Sequence, residues 1–228
     1  MMKSSIGTQK EKTLHRFLKN YICSDESKQE IPINNWIVDI YIEDEIYEIQ
    51  TRSFNALRRK LASLLPDYKI TIVYPFAKIK YITWVNRDGT LSKPRKSPKS
   101  SHPLRSCLEL YQIKPYLNHP NLKIKIFIIE LHEFCLRDKT NFKKGSCIDQ
   151  RLVNVFEIID LACTDDYINL IPFEGDNQFT TNDLIKKTKM SKKEGAASIQ
   201  VLKAIKAINF IGKQGRSYLY QINQKKGL

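Results

Sequence analysis

The sequence lacks a long apolar run, a Cys-x-x-Cys pair and an excess of acidic residues. A membrane-spanning helix needs about 20 consecutive apolar residues, and no stretch of the 228-residue chain approaches that length. The five cysteines, at positions 23, 107, 135, 147 and 163, form an odd and widely spaced set. Such a set is typical of reduced thiols rather than of a disulfide framework. We therefore expect a cytoplasmic protein that neither crosses a membrane nor depends on disulfides.

Part of this cysteine set raises the question of a zinc site. The run His132-Glu-Phe-Cys135 and the later Cys147 bring together residue types that bind zinc. Their spacing is irregular, however, and the sequence offers no obvious fourth ligand. Buried or incidental thiols are therefore the simpler interpretation of these cysteines.

Acidic residues are outnumbered by basic ones, and the imbalance is uneven along the chain. The 38 Lys and Arg residues against 24 Asp and Glu residues give a formal net charge of +14. Residues 176–228 alone hold 11 basic and 3 acidic residues, a net of +8. A chain this basic favours polyanionic partners, of which nucleic acid is the commonest. We therefore expect double-stranded DNA as the partner and a nucleoid-associated location.

Residues 37–50 carry the pattern around which the chain is organised. β-Branched and aromatic residues alternate there with polar ones on both sides of Glu43-Asp44, which predicts two antiparallel strands. A two-residue loop at Glu43-Asp44 would pair Ile42 with Glu45. Counting back from that pair, Asp39 falls directly opposite Glu48.

Two facing carboxylates need a counter-charge. Cross-strand neighbours have Cβ atoms about 5 Å apart, and like charges at that separation repel each other. A divalent cation offsets the repulsion, and carboxylate oxygens are ligands that Mg²⁺ or Mn²⁺ prefers. The pattern therefore predicts a metal site at Asp39 and Glu48. Gln50, two residues further along the same face, could orient a water or a phosphate oxygen.

This order of residues resembles the PD-(D/E)XK nuclease superfamily over about residues 8–85. The shared features are an acid ending one strand, acid-x-Gln on the next strand, and then a helix and another strand. The resemblance implies an α/β fold of the restriction-endonuclease-like kind, a mixed sheet flanked by helices, with metal-dependent hydrolysis of phosphodiester bonds. It also implies catalytic roles for Asp39, Glu48 and Gln50.

Two residues depart from the pattern of that superfamily. Val38 replaces the usual proline, and Gln50 replaces the lysine that activates the attacking water. In some members the lysine comes from the following helix, for which Lys60 is the candidate here. A helix expected at residues 8–23 offers Glu11 as a further metal ligand. Glu11 is equally compatible with a solvated acid at a helix start.

Basic side chains outside the hairpin suggest contacts with a phosphate backbone. Arg52 and Arg59 fall opposite the apolar face of the helix expected after the hairpin. A turn-rich stretch at residues 87–103 holds four more cations, and it is either a solvated linker or a DNA-facing loop. These four are Lys93, Arg95, Lys96 and Lys99.

The C-terminal part of the chain has a different character. Residues 149–163 have the spacing of an amphipathic helix, residues 165–173 that of a second helical piece, and residues 179–190 that of a short helix and turn. A longer helix opens at Ser191, where Ser191 and Glu194 form a capping box. Residues 210–222 then form a hairpin with a turn at Gly212–Gly215.

This order resembles a winged helix over about residues 150–224. The resemblance implies that the second helix enters the DNA major groove while the wing touches the backbone, although winged helices also bind proteins. The expected DNA contacts are Lys192, Gln200, Lys203 and Lys206 on the helix and its end, and Arg216 in the wing.

The sequence thus predicts two domains, a nuclease-like domain at residues 8–136 and a winged helix at 148–224, joined by a polar stretch. The predicted function is a Mg²⁺-dependent DNA endonuclease targeted by the winged helix, and a homodimer is compatible with it. Two alternatives stay open. One is a non-catalytic DNA-binding protein with a degenerate nuclease fold, and the other is an RNA-directed nuclease.

Overall fold

The structure is a computed structural model that describes residues 9–51, 53–86, 88–98, 102–137, 145–174 and 178–224. Six α-helices and ten strands lie within these ranges. The helices are α1 (Gln9–Ile22), α2 (Leu57–Leu64), α3 (Cys107–Leu110), α4 (Thr164–Ile168), α5 (Thr181–Thr188) and α6 (Lys192–Ala204). The strands are β1 (Gln29–Ile33), β2 (Trp36–Ile42), β3 (Glu45–Ile49), β4 (Lys69–Val85), β5 (Arg95–Lys96), β6 (Leu122–Arg137), β7 (Gly145–Leu161), β8 (Gln178–Thr180), β9 (Ile208–Gln214) and β10 (Ser217–Ile222).

A mixed seven-stranded sheet forms the larger part of the fold, in the order β1-β2-β3-β4-β6-β7, with β5 beside β4. The first three strands form an antiparallel meander, β3, β4 and β6 run parallel, and β7 returns antiparallel to β6. A parallel pair needs a crossover connection, and α2 provides it between β3 and β4. The α/β class with a large mixed sheet flanked by helices is therefore confirmed.

Strand β4 is longer than the sequence pattern suggested. The sequence pattern by itself predicts two separate strands, at residues 69–76 and 80–85, and the structure joins them into one strand of 17 residues. The ladder to β6 is interrupted by an irregularity between Ala77 and Ile79. That local break in the alternation explains why the sequence looked like two strands.

The amphipathic helix predicted at residues 149–163 is wrong, because these residues lie almost entirely in β7. The ladder to β6 skips three residues of β7, namely Ile148, Val153 and Phe156. Such bulges break the period-two alternation. As a result Leu152 and Val155, three positions apart, pack against the same apolar cluster, and this spacing imitates one face of a helix.

The position of β7 also corrects the proposed domain boundary. Residues 148–161 belong to the large sheet, so the polar stretch at 137–146 joins two strands of one hairpin instead of two domains. The residues after β7 share an apolar core with the sheet and the segment around α3. Arg105 further links the two parts through an ion pair with Glu194 of α6, at 2.5 Å.

Beyond β7 lies a smaller unit made of α4, α5, α6 and a three-stranded sheet in the order β8-β10-β9. The predicted capping box at the start of α6 is present, with Ser191 Oγ accepting from the Glu194 N–H and Glu194 Oε2 accepting from the Ser191 N–H. The hairpin turn differs from the expectation, because Gln214 pairs with Ser217. The turn is therefore Gly215-Arg216, and Gly212 lies within β9.

Two further observations complete the fold. The segment holding β5 runs antiparallel to β4, with Ser92 and Ser97 donating backbone hydrogen bonds to Trp84 and Lys80. Residues 92–97 are therefore ordered along the edge of the sheet. Among the described residues, every helix is too short or too polar to cross a membrane.

Candidate functional site

The turn between β2 and β3 sets the register of the candidate site. Glu43 and Asp44 both adopt positive φ angles, 49° and 60°. A two-residue hairpin turn whose twist matches that of the strands requires such angles at both positions. Ile42 pairs with Glu45 and Ile40 with Tyr47, as predicted. The ladder ends at that second pair, and the Asp39 carboxylate beyond it lies close enough to Glu48 to act on its ionisation.

Strand β2 changes face at Asp39. Val38 packs in the apolar cluster on the α2 side of the sheet, whereas Ile40 packs in the cluster on the α1 side. In a regular strand, residues two apart share a face. Asp39 thus lies where the strand twists, and both helix layers can reach its carboxylate.

The Asp39 carboxylate is held by two donors. Its Oδ2 accepts the backbone N–H of Ile49 at 2.7 Å and lies 3.3 Å from Nε2 of His15 on α1. Burial opposes ionisation of this carboxyl, but the contacts with His15 and Ile49 outweigh it and lower the pKa of Asp39. Asp39 is therefore an ionised, oriented carboxylate at neutral pH.

Glu48 is in a different electrostatic state. Its side chain is buried, and its Oε1 forms an ion pair with Nζ of Lys60. Burial and the nearby charge of Asp39 raise the pKa of Glu48 to about 7, and Lys60 offsets only part of that rise. Two adjacent carboxyl groups thus have pKa values pushed in opposite directions, a feature common at functional sites.

Lys60 reaches this site from the crossover helix. Leu57, Leu61 and Leu64 bury one face of α2 against the sheet, which brings Lys60 beside the end of the hairpin. Its ammonium group also donates to the backbone oxygen of Ile37 at 2.5 Å. The structure therefore brings together Asp39, Glu48 and Lys60, three of the residues predicted from sequence.

The sequence interpretation missed the residues of α1 at this site. His15 contacts Asp39, and one turn later the buried Lys19 binds Glu30 Oε1 at 2.8 Å. Glu30 adopts a positive φ of 53° within β1. The spacing of His15 and Lys19 by four residues was visible as a helix face, but only helix packing shows that this face covers the hairpin. The side chain of Glu11 lies outside the described residues.

Gln50 does not join the carboxylates. Its side-chain amide donates to the backbone oxygen of Ser53 at 2.6 Å, and its own N–H donates to Val73 O at 2.9 Å. The first bond holds the amide against the loop that precedes α2. Lys60, and not Gln50, contacts the carboxylate pair, and the role of Gln50 in positioning water stays a prediction.

A cavity of about 190 Å³ is lined by residues of β4 and by sequence neighbours of the cluster, but not by Asp39, Glu48, Lys60 or His15. Among the described residues, one edge of β4 has no strand beside it between Val73 and Lys80. At the two ends of this gap, the backbone oxygen of Val73 accepts a hydrogen bond from the Gln50 N–H and that of Lys80 accepts one from the Ser97 N–H. Thr51 and Leu14, neighbours of Gln50 and His15 in sequence, form one end of the cavity. Three cations contribute to its walls, namely Lys78, Lys80 and Arg105.

The predicted phosphate contacts are mostly exposed. Arg59 lies on the outer side of α2, and Lys93, Arg95 and Lys96 lie along the outer edge of β4. Arg52 and Lys99 lie outside the described residues.

On α6, the exposed residues occupy a strip about 100° wide at 3.6 residues per turn. They are Lys192, Lys193, Ala196, Gln200 and Lys203. Lys206 and Arg216, beyond the helix, are exposed as well.

Fold and site together define the class: an α/β protein whose mixed sheet carries a carboxylate pair contacted by a lysine and a histidine from opposite layers. The chain belongs to the family described as "Domain of unknown function (DUF8091)", which matches residues 12–162. The matched region runs from α1 to the end of β7 and contains all four residues of the cluster.

A protein of Treponema pallidum (strain Nichols), described as uncharacterized, is 32% identical to the chain over 155 residues. The match covers 66% of the chain, which spans about 62% of the length of that relative. No solved structure shows a significant match to the chain.

Proposed function

We propose that the protein is a metal-dependent nuclease of the PD-(D/E)XK kind, acting on double-stranded DNA. The observation that carries this proposal is the cluster at the end of the β2–β3 hairpin. Asp39 and Glu48 share a partly buried site there, and the ammonium group of Lys60 pairs directly with Glu48. This is the set of groups that metal-assisted hydrolysis of a phosphodiester requires.

The order of elements around the cluster supports the same proposal. A helix, an antiparallel three-stranded meander, a crossover helix and a parallel strand follow one another as α1, β1-β2-β3, α2 and β4. The two acids lie on the second and third strands, as in the nucleases that this chain resembles. In those nucleases a lysine usually stands at the position of Gln50, and here Lys60 on α2 would supply it.

The donor set suits Mg²⁺ or Mn²⁺. Both ions prefer carboxylate oxygens. The pKa of Glu48 is raised first by burial and then by the charge of Asp39, and a cation would relieve the second of these effects. When bound, the ion would polarise the scissile phosphate and lower the pKa of a coordinated water. Asp39 and Glu48 would hold it, and Lys60 would place a positive charge next to the developing phosphate charge.

Charge balance also favours a phosphate ligand. With both acids ionised and Lys60 protonated, these three groups carry a net charge of −1, and a divalent ion changes this to +1. One phosphodiester group then neutralises the site. Three further cations, Lys78, Lys80 and Arg105, line the cavity beside β4.

For the C-terminal unit we propose a winged helix that binds the DNA duplex. The order β8, α5, α6, β9, β10 and the sheet order β8-β10-β9 fit that architecture. The exposed strip of α6 is basic, and Arg216 lies at the tip of the β9–β10 hairpin. These groups would supply affinity through phosphate contacts.

A second candidate is a DNA-binding protein that has lost its chemistry. It is favoured by one observation, the Gln50 amide bonded to Ser53 O instead of facing the carboxylates. The two candidates differ in whether metal binds at the cluster and whether DNA is cut.

The test combines metal binding and cleavage at pH 8. Mg²⁺ or Mn²⁺ at 100 times its Kd should stabilise the wild-type protein by about 2.7 kcal/mol, measured by thermal unfolding. Plasmid DNA should be nicked or cut in the same buffer. Asp39→Ala should abolish both effects, whereas Asp67→Ala, which removes an exposed acid after α2, should change neither.

The outcomes separate the candidates. DNA binding without metal stabilisation or cleavage, with Asp39→Ala indistinguishable from wild type, would reject the nuclease in favour of the non-catalytic protein. Metal-dependent cleavage of RNA but not of DNA would assign the RNA-directed alternative. Failure to bind either nucleic acid would reject the proposal as a whole.

A further inference from the structure

The β6–β7 hairpin brings together three metal-binding side chains outside the site described above. Glu133 and Cys135 lie two residues apart on β6 and therefore share a face of the strand, and Cys147 on β7 is the direct ladder partner of Cys135. One donor atom from each of the three lies within 4.8 Å of the other two. Glu133 and Cys135 are buried, and Cys147 is half-buried.

The structure selects a different set from the one that the sequence suggested. His132 points to the other face of β6, where its Nε2 lies 2.7 Å from Thr83 Oγ1 and its ring stacks on Phe134. It cannot reach the two thiols from there. Glu133, which the sequence interpretation passed over, takes its place because the strand alternation turns it towards Cys135.

The Glu133 carboxylate is oriented by two neighbours. Lys80 Nζ lies 2.6 Å from Glu133 Oε1, and the Gln150 amide donates to the same oxygen at 2.8 Å. Hydrogen bonds of this kind orient metal ligands in known sites. Lys80 also balances charge, because two thiolates, one carboxylate, one ammonium group and one divalent ion sum to zero. A neutral cluster is the least costly one to bury.

We propose that Glu133, Cys135 and Cys147 form a zinc site with three protein ligands. Thiolate sulfur together with carboxylate oxygen is a donor set that Zn²⁺ binds, and three protein ligands leave a fourth tetrahedral position for water. Glu133, Gln150 and Lys80 also line the cavity at the free edge of β4, from which water can reach that position. The site is independent of the nuclease proposal.

Binding has a defined proton balance. Each cysteine thiol transfers its proton to buffer as its sulfur bonds to Zn²⁺, while Glu133 enters as a carboxylate, so one ion should release two protons at neutral pH. No electron transfer is involved, and no other reactant is needed. The number of protons therefore distinguishes the sites, because binding at Asp39 and Glu48 involves no thiol and can release at most the single proton of Glu48.

The test is titration of the reduced full-length chain with Zn²⁺ by calorimetry in two buffers of different ionisation enthalpy. We expect one tight site, with two protons released. Cys147→Ser should abolish tight binding, and Glu133→Gln should weaken it at least about tenfold. Cys163→Ser, at an exposed thiol, and Asp39→Ala should both leave it unchanged. Cys147 carries the test because its half-exposed position tolerates serine better than the buried Cys135 does.

Replacement of Zn²⁺ by Co²⁺ gives a second readout. Thiolate-to-cobalt charge-transfer absorption should appear in the wild-type protein and in Cys163→Ser, and should be lost in Cys147→Ser. A reduced wild-type chain that binds no Zn²⁺ would overturn the proposal. So would equal affinity in wild type and Cys147→Ser, provided that circular dichroism shows the variant to be folded.

Discussion

The electrostatic state of Glu48 makes a specific prediction about stability against pH. Burial and the charge of Asp39 raise its pKa from an ordinary value of 4.5 to about 7. A carboxyl group whose pKa is higher in the folded state binds more protons there than in the unfolded chain. Its contribution to stability is therefore full below pH 4.5 and is lost as the pH rises to about 7.

The magnitude follows from the size of the shift. One pKa unit corresponds to 1.36 kcal/mol, so ionisation of Glu48 should lower the free energy of unfolding by about 3 kcal/mol between pH 4.5 and pH 7. The repulsion by Asp39 alone, for charges about 5 Å apart in an effective dielectric of 20, is also about 3 kcal/mol before Lys60 and His15 offset part of it. Asp39 is thus a substantial cause of the loss.

Two variants isolate this effect. Glu48→Gln keeps the shape of the side chain and cannot ionise, so its stability should lack the fall between pH 4.5 and pH 7. Asp39→Asn removes only the neighbouring charge, and the fall should shrink by about 1–2 kcal/mol. The assay is urea unfolding at half-unit steps from pH 4.5 to pH 8.5 without divalent ions. Comparison with wild type at each pH cancels the contribution of other groups.

One such group is His102, whose pKa is lowered by burial. Its contribution to stability is lost as the pH falls, and it therefore changes in the opposite direction to that of Glu48. For this reason the difference between wild type and Glu48→Gln is the decisive quantity. If this difference does not vary between pH 4.5 and pH 7, the proposed repulsion between Asp39 and Glu48 is absent and the reasoning is refuted.

Two further predictions concern the C-terminal unit. Replacing Lys192, Lys203 and Lys206 together by Ala should weaken duplex DNA binding and reduce the slope of log K against log salt by up to about 2.7, as measured by fluorescence anisotropy. The control replaces Lys28, Lys69 and Lys123 by Ala and should leave the slope nearly unchanged. Equal effects of the two sets would contradict a role for α6. Gly195→Ala should lower the free energy of unfolding by about 1 kcal/mol, measured by urea unfolding, because the new Cβ would clash with Cγ1 of Ile185. Overpacking costs about 1–3 kcal/mol and exceeds the helix-propensity gain of about 1 kcal/mol. Adding Ile185→Ala should relieve that clash, and a stabilised single variant would show that α5 and α6 are not in close contact.

Local patterns predicted the core of the candidate site. Alternation over residues 37–50 and a turn at Glu43-Asp44 define the hairpin, and the pairing of Ile42 with Glu45 and of Ile40 with Tyr47 follows from the turn alone. The capping box at Ser191 and Glu194 likewise marks the start of α6 correctly. Each of these features depends on residues within a few positions of one another, so the sequence contains the whole signal.

The same local reasoning was wrong where tertiary pairing interrupts a pattern. In β7, bulges at Val153 and Phe156 place Leu152 and Val155 on one face, and the resulting spacing of three was taken for a helix. The domain boundary at residues 137–146 depended on that helix. A bulge reflects the fit of one strand to its neighbour, and the period of a single strand does not contain it.

The sequence by itself thus determined the register of the hairpin that brings Asp39 and Glu48 close together, because a two-residue turn fixes that register. Only the tertiary structure decided which charges surround them. His15 and Lys60 reach the acids from opposite faces of the sheet through the packing of α1 and α2, and Glu133 joins Cys135 and Cys147 through the register of β6 with β7. These contacts join segments that are linked by helix packing or by long strand ladders, whose geometry is set by the whole core.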